Sequence, residues 1–281
     1  MFWQTKEWRE YLLNDGTGYI DRSINVEGES ITLLQIGEEF YSPGFTETPT
    51  KIYAIEAAAE HYGVKQIQVD TMIKRYLQIP SLTCVVDPFD IHMSKGHKSA
   101  VTKANKYLNY SVVKTTEQFM KDYFEVAGKR TRPKRTFELL EEWISKGFGT
   151  LLRAEYYGKT AGYTYIIHHE NYAYYFMSCV FEQYKQFNVS HFLQSKAFEI
   201  LREKGIHTYG LGEQCYNSLL HQPSEKEMNI SLFKRGFGGE IIYKPRSEYF
   251  FDQDYMKQVY EQRIIKYQEA EREHINNFSE A

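Results

Sequence analysis

The chain has 281 residues, 25% charged and 42% hydrophobic, enough for two ordinary domains with a real core. A formal net charge of −3 speaks against a general nucleic-acid binder, so DNA is not an expected partner. No run reaches the roughly 18 consecutive apolar residues of a membrane span, and Cys84, Cys179 and Cys215 are too widely spaced for a disulfide framework or a Cys-x-x-Cys zinc site.

The opening Met1-Phe2-Trp3-Gln4-Thr5-Lys6-Glu7-Trp8 has acid and tryptophan where a signal peptide has a cationic then apolar stretch, so the expected compartment is the cytoplasm. Residues 5–13 place Trp8, Tyr11 and Leu12 at helical spacing, and Asn14-Asp15-Gly16 stops them. Short strands are predicted at 19–22 and 31–36, with Ser42-Pro43-Gly44-Phe45 as a loop. The alanine-rich stretch 50–62 reads as a helix closed by Gly63, and residues 66–69 read as a buried strand. A strand over 81–87 ends at Pro88, a lysine-rich helix covers 93–109, and a strand follows at 110–114.

From Lys129 to Arg135 five cationic side chains fall in seven positions, and with Pro133 among them the segment is predicted to be an exposed loop. A helix over 137–146 ends at Gly147. Strands at 150–156 and 161–168 flank the Tyr157-Gly158-Lys159 turn, and a third strand covers 173–180. The helix at 189–204 buries Val189, Phe192, Leu193, Ala197, Ile200 and Leu201 at offsets of three and four. Strands at 208–211 and 240–244 and a charged helix over 252–274 complete the chain. The two halves repeat one order of parts, strands, a glycine-stopped helix and a further strand, so a distant structural repeat is expected. The domains are set at 1–127 and 128–251, with 252–281 as a terminal helix packing back on the first.

The candidate chemistry concentrates late in the chain. Phe233-Lys234-Arg235-Gly236-Phe237-Gly238 follows a strand that ends in Gly210-Leu211-Gly212, and a polar loop separates them. A lysine at such a strand entrance can stabilise developing negative charge or hold a phosphate. Lys98 and Lys103, with their neighbours Lys95 and Lys106, and the basic loop with Arg130, Arg132 and Arg135 offer phosphate contacts; solvated surface charge is the plainer reading of each. Asp87, Glu213, His221, Glu225 and Glu227 are candidate general bases that spacing does not separate. His168-His169-Glu170 is not expected to hold a metal, because adjacent strand residues point to opposite faces.

The order of these pieces resembles the FemABX-type transferases, a branch of the GNAT-like acyltransferases. The resemblance runs through the Trp8 start, Ser42-Pro43-Gly44, the strand into Asp87, Lys98 and Lys103-Ala104 before Tyr110-Ser111-Val112, the basic loop, the Gly158–Gly162 hairpin and Phe233-Lys234. It implies an α+β fold of tandem GNAT-like domains, mixed β-sheets flanked by helices. It implies N-acyl transfer, with Lys234 stabilising the oxyanion, Phe233 walling the channel, and Gly212, Glu213 and Tyr216 shaping the acceptor pocket. The implied acceptors are amino sugars, nucleotide-linked sugars or cell-envelope precursors. The implied donor is an acyl-CoA, an acyl carrier protein or an aminoacyl-tRNA, used as cosubstrate with no cofactor bound. Two departures bear on this. Where the GNAT fold has glycines to cradle coenzyme A pyrophosphate, this chain reads Gln183-Tyr184-Lys185-Gln186-Phe187-Asn188-Val189-Ser190, so free acetyl-CoA is expected to bind weakly. The strand that usually ends in aspartate before glycines here ends Tyr209-Gly210-Leu211-Gly212-Glu213. A tRNA-dependent cell-wall peptide ligase and a non-catalytic carbohydrate- or protein-binding module remain the alternatives.

Overall fold

The computed structural model describes residues 5–79, 81–218 and 220–279; the first four residues of the opening segment discussed above lie outside them. Helix α1 (Lys6–Asn14) precedes strands β1 (Ile20–Asp21), β2 (Ile24–Val26), β3 (Glu29–Ile31), β4 (Leu34–Ile36) and β5 (Glu39–Ser42). Helix α2 (Pro49–Tyr62) and strands β6 (Gln66–Val69), β7 (Leu77–Gln78) and β8 (Leu82–Val86) follow. Then come α3 (Lys95–Ala104), β9 (Leu108–Val113), α4 (Glu117–Ala127), α5 (Lys134–Ser145), β10 (Gly149–Tyr156), β11 (Lys159–His169) and β12 (Tyr172–Val180). A 3-10 segment (Glu182–Phe187) leads to α6 (Val189–Glu203), β13 (Thr208–Glu213), α7 (Glu225–Arg235), β14 (Glu240–Tyr243), β15 (Ser247–Phe250) and α8 (Gln253–Ser279). No helix among the described residues is long and apolar enough to cross a membrane.

The chain forms two compact units that interleave along the sequence. One comprises Thr83–Gly212, the segment up to Gly18, and Phe233–Ile242; the other comprises Tyr19–Leu82, Glu213–Leu232 and the chain from Tyr243 onward. The boundary expected at residue 128 falls inside the first unit, between α4 and α5. There β9 and β10 pair antiparallel across it, from Leu151↔Val113 to Tyr156↔Leu108, so a cut at that point would sever a sheet ladder.

The first unit is built on a seven-stranded sheet in the order β14-β8-β13-β12-β11-β10-β9. Side chains of α3 and α6 pack on one face, with Val189, Phe192, Leu193, Ala197 and Leu201 against Leu152, Ile166 and Tyr209. Side chains of α1, α4 and α5 cover the other, with Tyr11, Phe119, Phe137 and Trp143 against Leu151, Tyr163 and Tyr165. Covered on both faces, β11 is buried from Ala161 to His168 without the alternation of a half-exposed strand. The second unit has a six-stranded sheet, β1-β4-β5-β6-β15-β7, and the small hairpin β2-β3. Its core gathers Leu33, Phe40, Ile55, Ile67 and Val69. Helix α2 starts where the Thr48 hydroxyl accepts from Lys51 N, with Pro49 behind it. Helix α8 is tied to this unit's sheet: Tyr255 Oη donates to Glu39, and Arg263 grips the buried Glu248 through two contacts of 2.8 and 2.9 Å.

The expected repeat of parts has a counterpart in pairing. Strands β5 and β6, joined through α2, run parallel, and so do β12 and β13, joined through α6. The strand expected at 31–36 is divided between β3 and β4, with Leu33 N donating to the Ser23 hydroxyl in the gap. The helix expected over 93–109 stops at Ala104, and Leu108 already belongs to β9, because residues 108–113 pair with β10.

Candidate active site

In the first unit, β12 and β13 stay paired for three residues only: Tyr172↔Thr208, Ala173↔Tyr209 and Tyr174↔Gly210. Beyond that point the two strands part. On its other side β12 carries an extra residue, since Tyr165 pairs with Met177 and Ile166 with Tyr175, leaving Phe176 as a bulge that turns the strand. A parallel pair that opens this way exposes backbone and side chains of two strands to one gap.

The two sides of the opening differ. Toward α6, Tyr209 Oη donates to Gln194 Oε1 at 3.0 Å, and Tyr175 Oη hydrogen-bonds the Ser178 hydroxyl. Gln194 is buried, and its Nε2 has no hydrogen-bond partner among the described residues. Burial raises the Tyr175 and Tyr209 hydroxyl pKa values, so both remain phenols. On the opposite face two tyrosines of β12 lie over two glycines of β13. A Cβ at Gly210 would sit 2.4 Å from Tyr172 Oη, and one at Gly212 would sit 3.2 Å from Tyr174 Oη and 2.9 Å from Lys234 Nζ. Gly212 also has φ +98°, a conformation in which other residues are strained. Burial pushes the Tyr172 pKa up to about 12. The Lys234 ammonium and the Tyr174 hydroxyl thus converge on one backbone position at the end of β13.

Lys234 reaches this place from a helix. Expected after a loop at a strand entrance, it lies instead in the last turn of α7. The helix starts from a reciprocal capping box: Ser224 N donates to Glu227 Oε2 at 2.8 Å, and Glu227 N donates to the Ser224 hydroxyl at 3.4 Å. Glu225 and Glu227 occupy its first turn and Lys234 and Arg235 its last, the charge order that the helix dipole favours. The end of α7 is fixed from α3. His97 Nε2 donates to the Phe233 carbonyl at 2.9 Å, while its Nδ1 lies 3.1 Å from the Ser94 hydroxyl. Phe233 packs edge-on against His191 and Phe237, so its ring forms part of the wall between α7 and α6. Burial, with the His97 ring nearby, lowers the His191 pKa to about 4.

The remaining predicted residues are dispersed. Lys98 and Lys103 are exposed on α3. Arg130 is exposed, but Arg132 Nη1 donates to Tyr11 Oη at 2.7 Å, and Arg135 binds Glu10 and Glu142 at 2.6 and 2.7 Å. Two of the three arginines therefore hold α1 against α5, and Lys134 and Arg135 belong to the first turn of α5 rather than to a loop. Glu213 and Tyr216 line a cleft of about 390 Å³ in the second unit, together with His221, Glu227 and Arg246. Asp87 lies 3.5 Å from His207, and Glu227 is used in the α7 cap, which lowers its carboxyl pKa. His168 and His169 diverge, with His168 Nε2 3.0 Å from the Thr150 hydroxyl. No group of three or more metal-ligating side chains occurs among the described residues.

No protein-family model matches the sequence, and no curated protein matches it. Solved structures do match. FemX superposes with a TM-score of 0.66 at 15% identity, covering 92% of this chain and 94% of FemX. L-PGS from Bacillus licheniformis gives 0.64 at 12% identity, covering 94% and 97% of the two chains. A tandem GNAT protein from the clavulanic acid biosynthesis pathway gives 0.51 at 11% identity, covering 87% of each. The chain has the FemX-like, tandem GNAT fold. The likeness is one of architecture, and it bears out the α+β reading with mixed sheets flanked by helices.

Within this GNAT-like frame the entry to α6 departs from a glycine cradle, as the sequence indicated. Residues Glu182–Phe187 form a 3-10 turn, and Asn188 takes a left-handed conformation at φ 57° with no side-chain cap on the helix. Lys185, the cation of that stretch, is paired with Glu182. Tyr172, Tyr174, Gln194 and Tyr209 were not singled out from sequence. In a chain with 24 tyrosines nothing local distinguishes those of the strand opening; the alternation of Gly210 and Gly212 was the available signal.

Proposed function

We propose that the chain is an N-acyltransferase that moves an activated acyl or aminoacyl group onto an amine. The observation that carries this reading is the Lys234 ammonium over Gly212, beside the Tyr174 hydroxyl, at the place where β12 and β13 part. An amine nitrogen attacks the acyl carbonyl, the C–N bond forms, and the carbonyl π electrons move to oxygen. Lys234 stabilises that oxyanion as a fixed positive charge in a partly desolvated position. The carbonyl then re-forms as the bond to the donor's sulfur or oxygen breaks, and the amine proton leaves with the departing group or with solvent. Phe233 serves as a wall rather than as a reacting group.

The donor in this reading is larger than free acetyl-CoA. The 3-10 turn without glycines and the Lys185–Glu182 pair leave no glycine-lined backbone for a pyrophosphate, which favours a group carried on an acyl carrier protein or a charged tRNA. The acceptors are amino sugars, nucleotide-linked sugars or other cell-envelope precursors. The fold likeness to FemX and L-PGS is consistent with aminoacyl chemistry. Calorimetry with acetyl-CoA and with charged tRNA, at low and physiological salt, tests the donor. Weak or absent acetyl-CoA binding is expected; tight stoichiometric binding that survives physiological salt would return the chain to ordinary acetyl-CoA use.

A further inference from the structure

The second unit contains a cleft of about 390 Å³ with two polar groups whose bonding is incomplete. Gln214, from the segment after β13, is 7% exposed, and its Oε1 has no hydrogen-bond partner among the described residues. A buried acceptor without a partner has given up its water and received nothing in exchange, so it marks a place where a donor fits. Across the same cleft, Arg246 has carboxylates on two sides, but Asp70 lies at 3.6 Å and Glu213 at 3.7 Å, both beyond hydrogen-bond distance. A guanidinium held this way offers a planar pair of N–H groups to an incoming carboxylate.

The other charges of the cleft are already matched. Arg263 is clamped on Glu248, and Glu227 is taken up by Ser224 with His221 3.4 Å away. The charged lining of Glu213, Glu227, Arg246 and Arg263 is formally balanced, so a phosphate dianion, with two charges and no N–H to offer Gln214, gains no net attraction. A ligand that brings one negative and one donating group side by side fits better. Its carboxylate faces Arg246, and its N–H faces Gln214 Oε1.

We propose that this cleft binds an amino-acid carboxylate, with Arg246 taking the carboxylate and Gln214 Oε1 accepting an N–H from the neighbouring nitrogen. The shared chemistry belongs to a free α-amino acid and to the C-terminal residue of a peptide. The site stands on its own geometry, and its test is independent of acyl transfer.

Isothermal titration of the full chain with three series decides it: free amino acids, their N-acetyl derivatives and their carboxamides. At least one free or N-acetyl acid should bind with a Kd of about a millimolar or tighter, and its carboxamide should bind at least about tenfold more weakly. Equal binding of the N-acetyl form identifies a peptide terminus, and binding of the free form alone identifies an amino acid. Arg246→Gln should weaken binding by about tenfold or more. Gln214→Leu should do the same while melting near the wild-type temperature, since it removes a buried acceptor without a partner and, on the other side of the amide, only a long 3.4 Å bond from Nε2 to the Glu213 carbonyl. The proposal is overturned if no member of the series binds up to about 10 mM, if carboxamides bind as well as acids, or if inorganic phosphate binds more tightly than any of them.

Discussion

The clamp between Arg263 and Glu248 gives the sharpest stability prediction. Glu248 is 1% exposed on β15, and its carboxylate receives Arg263 Nη1 and Nη2, Tyr260 Oη at 3.0 Å and Gln66 Nε2 at 2.8 Å. Arg263→Ala leaves that carboxylate buried with two neutral donors and no counter-charge. Removing one partner of a buried ion pair costs about 3–5 kcal/mol, a large share of the roughly 5–15 kcal/mol that holds a domain folded. With a urea m-value of about 2–3 kcal/mol per M, the midpoint of the second unit should fall by about 1–2.5 M. Adding Glu248→Gln removes the stranded charge, so the double variant should recover part of the loss, and a double-mutant cycle should show strong coupling. Urea unfolding followed by circular dichroism and by tyrosine fluorescence measures this. A midpoint change below about 0.3 M for Arg263→Ala, or no recovery in the double variant, would refute the reasoning.

Burial lowers the His168 pKa to about 4 against an ordinary 6.5, so the folded chain keeps this ring neutral while the unfolded chain protonates it. Its contribution is intact above pH 6.5 and is lost as pH falls toward 4, by at most about 3 kcal/mol; an NMR titration midpoint above 6 for His168 would contradict this. Gly212→Ala forces a Cβ into a positive-φ position and against Lys234 Nζ, which should cost about 1–3 kcal/mol and displace the ammonium; unchanged melting together with unchanged turnover would count against the assigned geometry. Arg132→Gln should lower stability by about 1–2 kcal/mol through the lost charge-assisted bond to Tyr11 and leave substrate affinity alone, whereas Arg130→Gln should leave stability unchanged. A chemical-denaturation comparison of the two variants separates a structural arginine from a solvated one.

Much of the fold was legible where a local signal coincided with burial. Helix α6 was read from Val189, Phe192, Leu193, Ala197, Ile200 and Leu201, all of which are buried, and β6 was read at its observed bounds. Helix α7 was missed because its apolar residues do not form a buried stripe: Met228, Ile230 and Leu232 are 37%, 41% and 54% exposed. The Ser224-x-x-Glu227 capping box was the signal that would have found it, and it would have moved Lys234 from a loop to a helix end. The basic run at 129–135 looked like a ligand site because sequence shows charges and not their partners; Glu10 and Glu142 lie 125 and 7 residues from Arg135. The division into units was beyond a linear reading, since strands such as β15 join β6 across 178 or more positions. Lys234 and Phe233 were named from their order in the chain. Gly212 is named with them, but its role as the floor beneath Lys234 appears only when the end of β13 and the last turn of α7 are brought side by side.

The central claim is that Lys234 stabilises the charge of an acyl-transfer transition state. The direct measurement is single-turnover transfer from charged tRNA or acyl carrier protein to an amine acceptor, followed by mass spectrometry, for the wild-type chain and for Lys234→Ala. The variant should fold with an unchanged melting temperature and transfer about 10²–10³-fold more slowly. Transfer at the wild-type rate by a folded Lys234→Ala chain would contradict it.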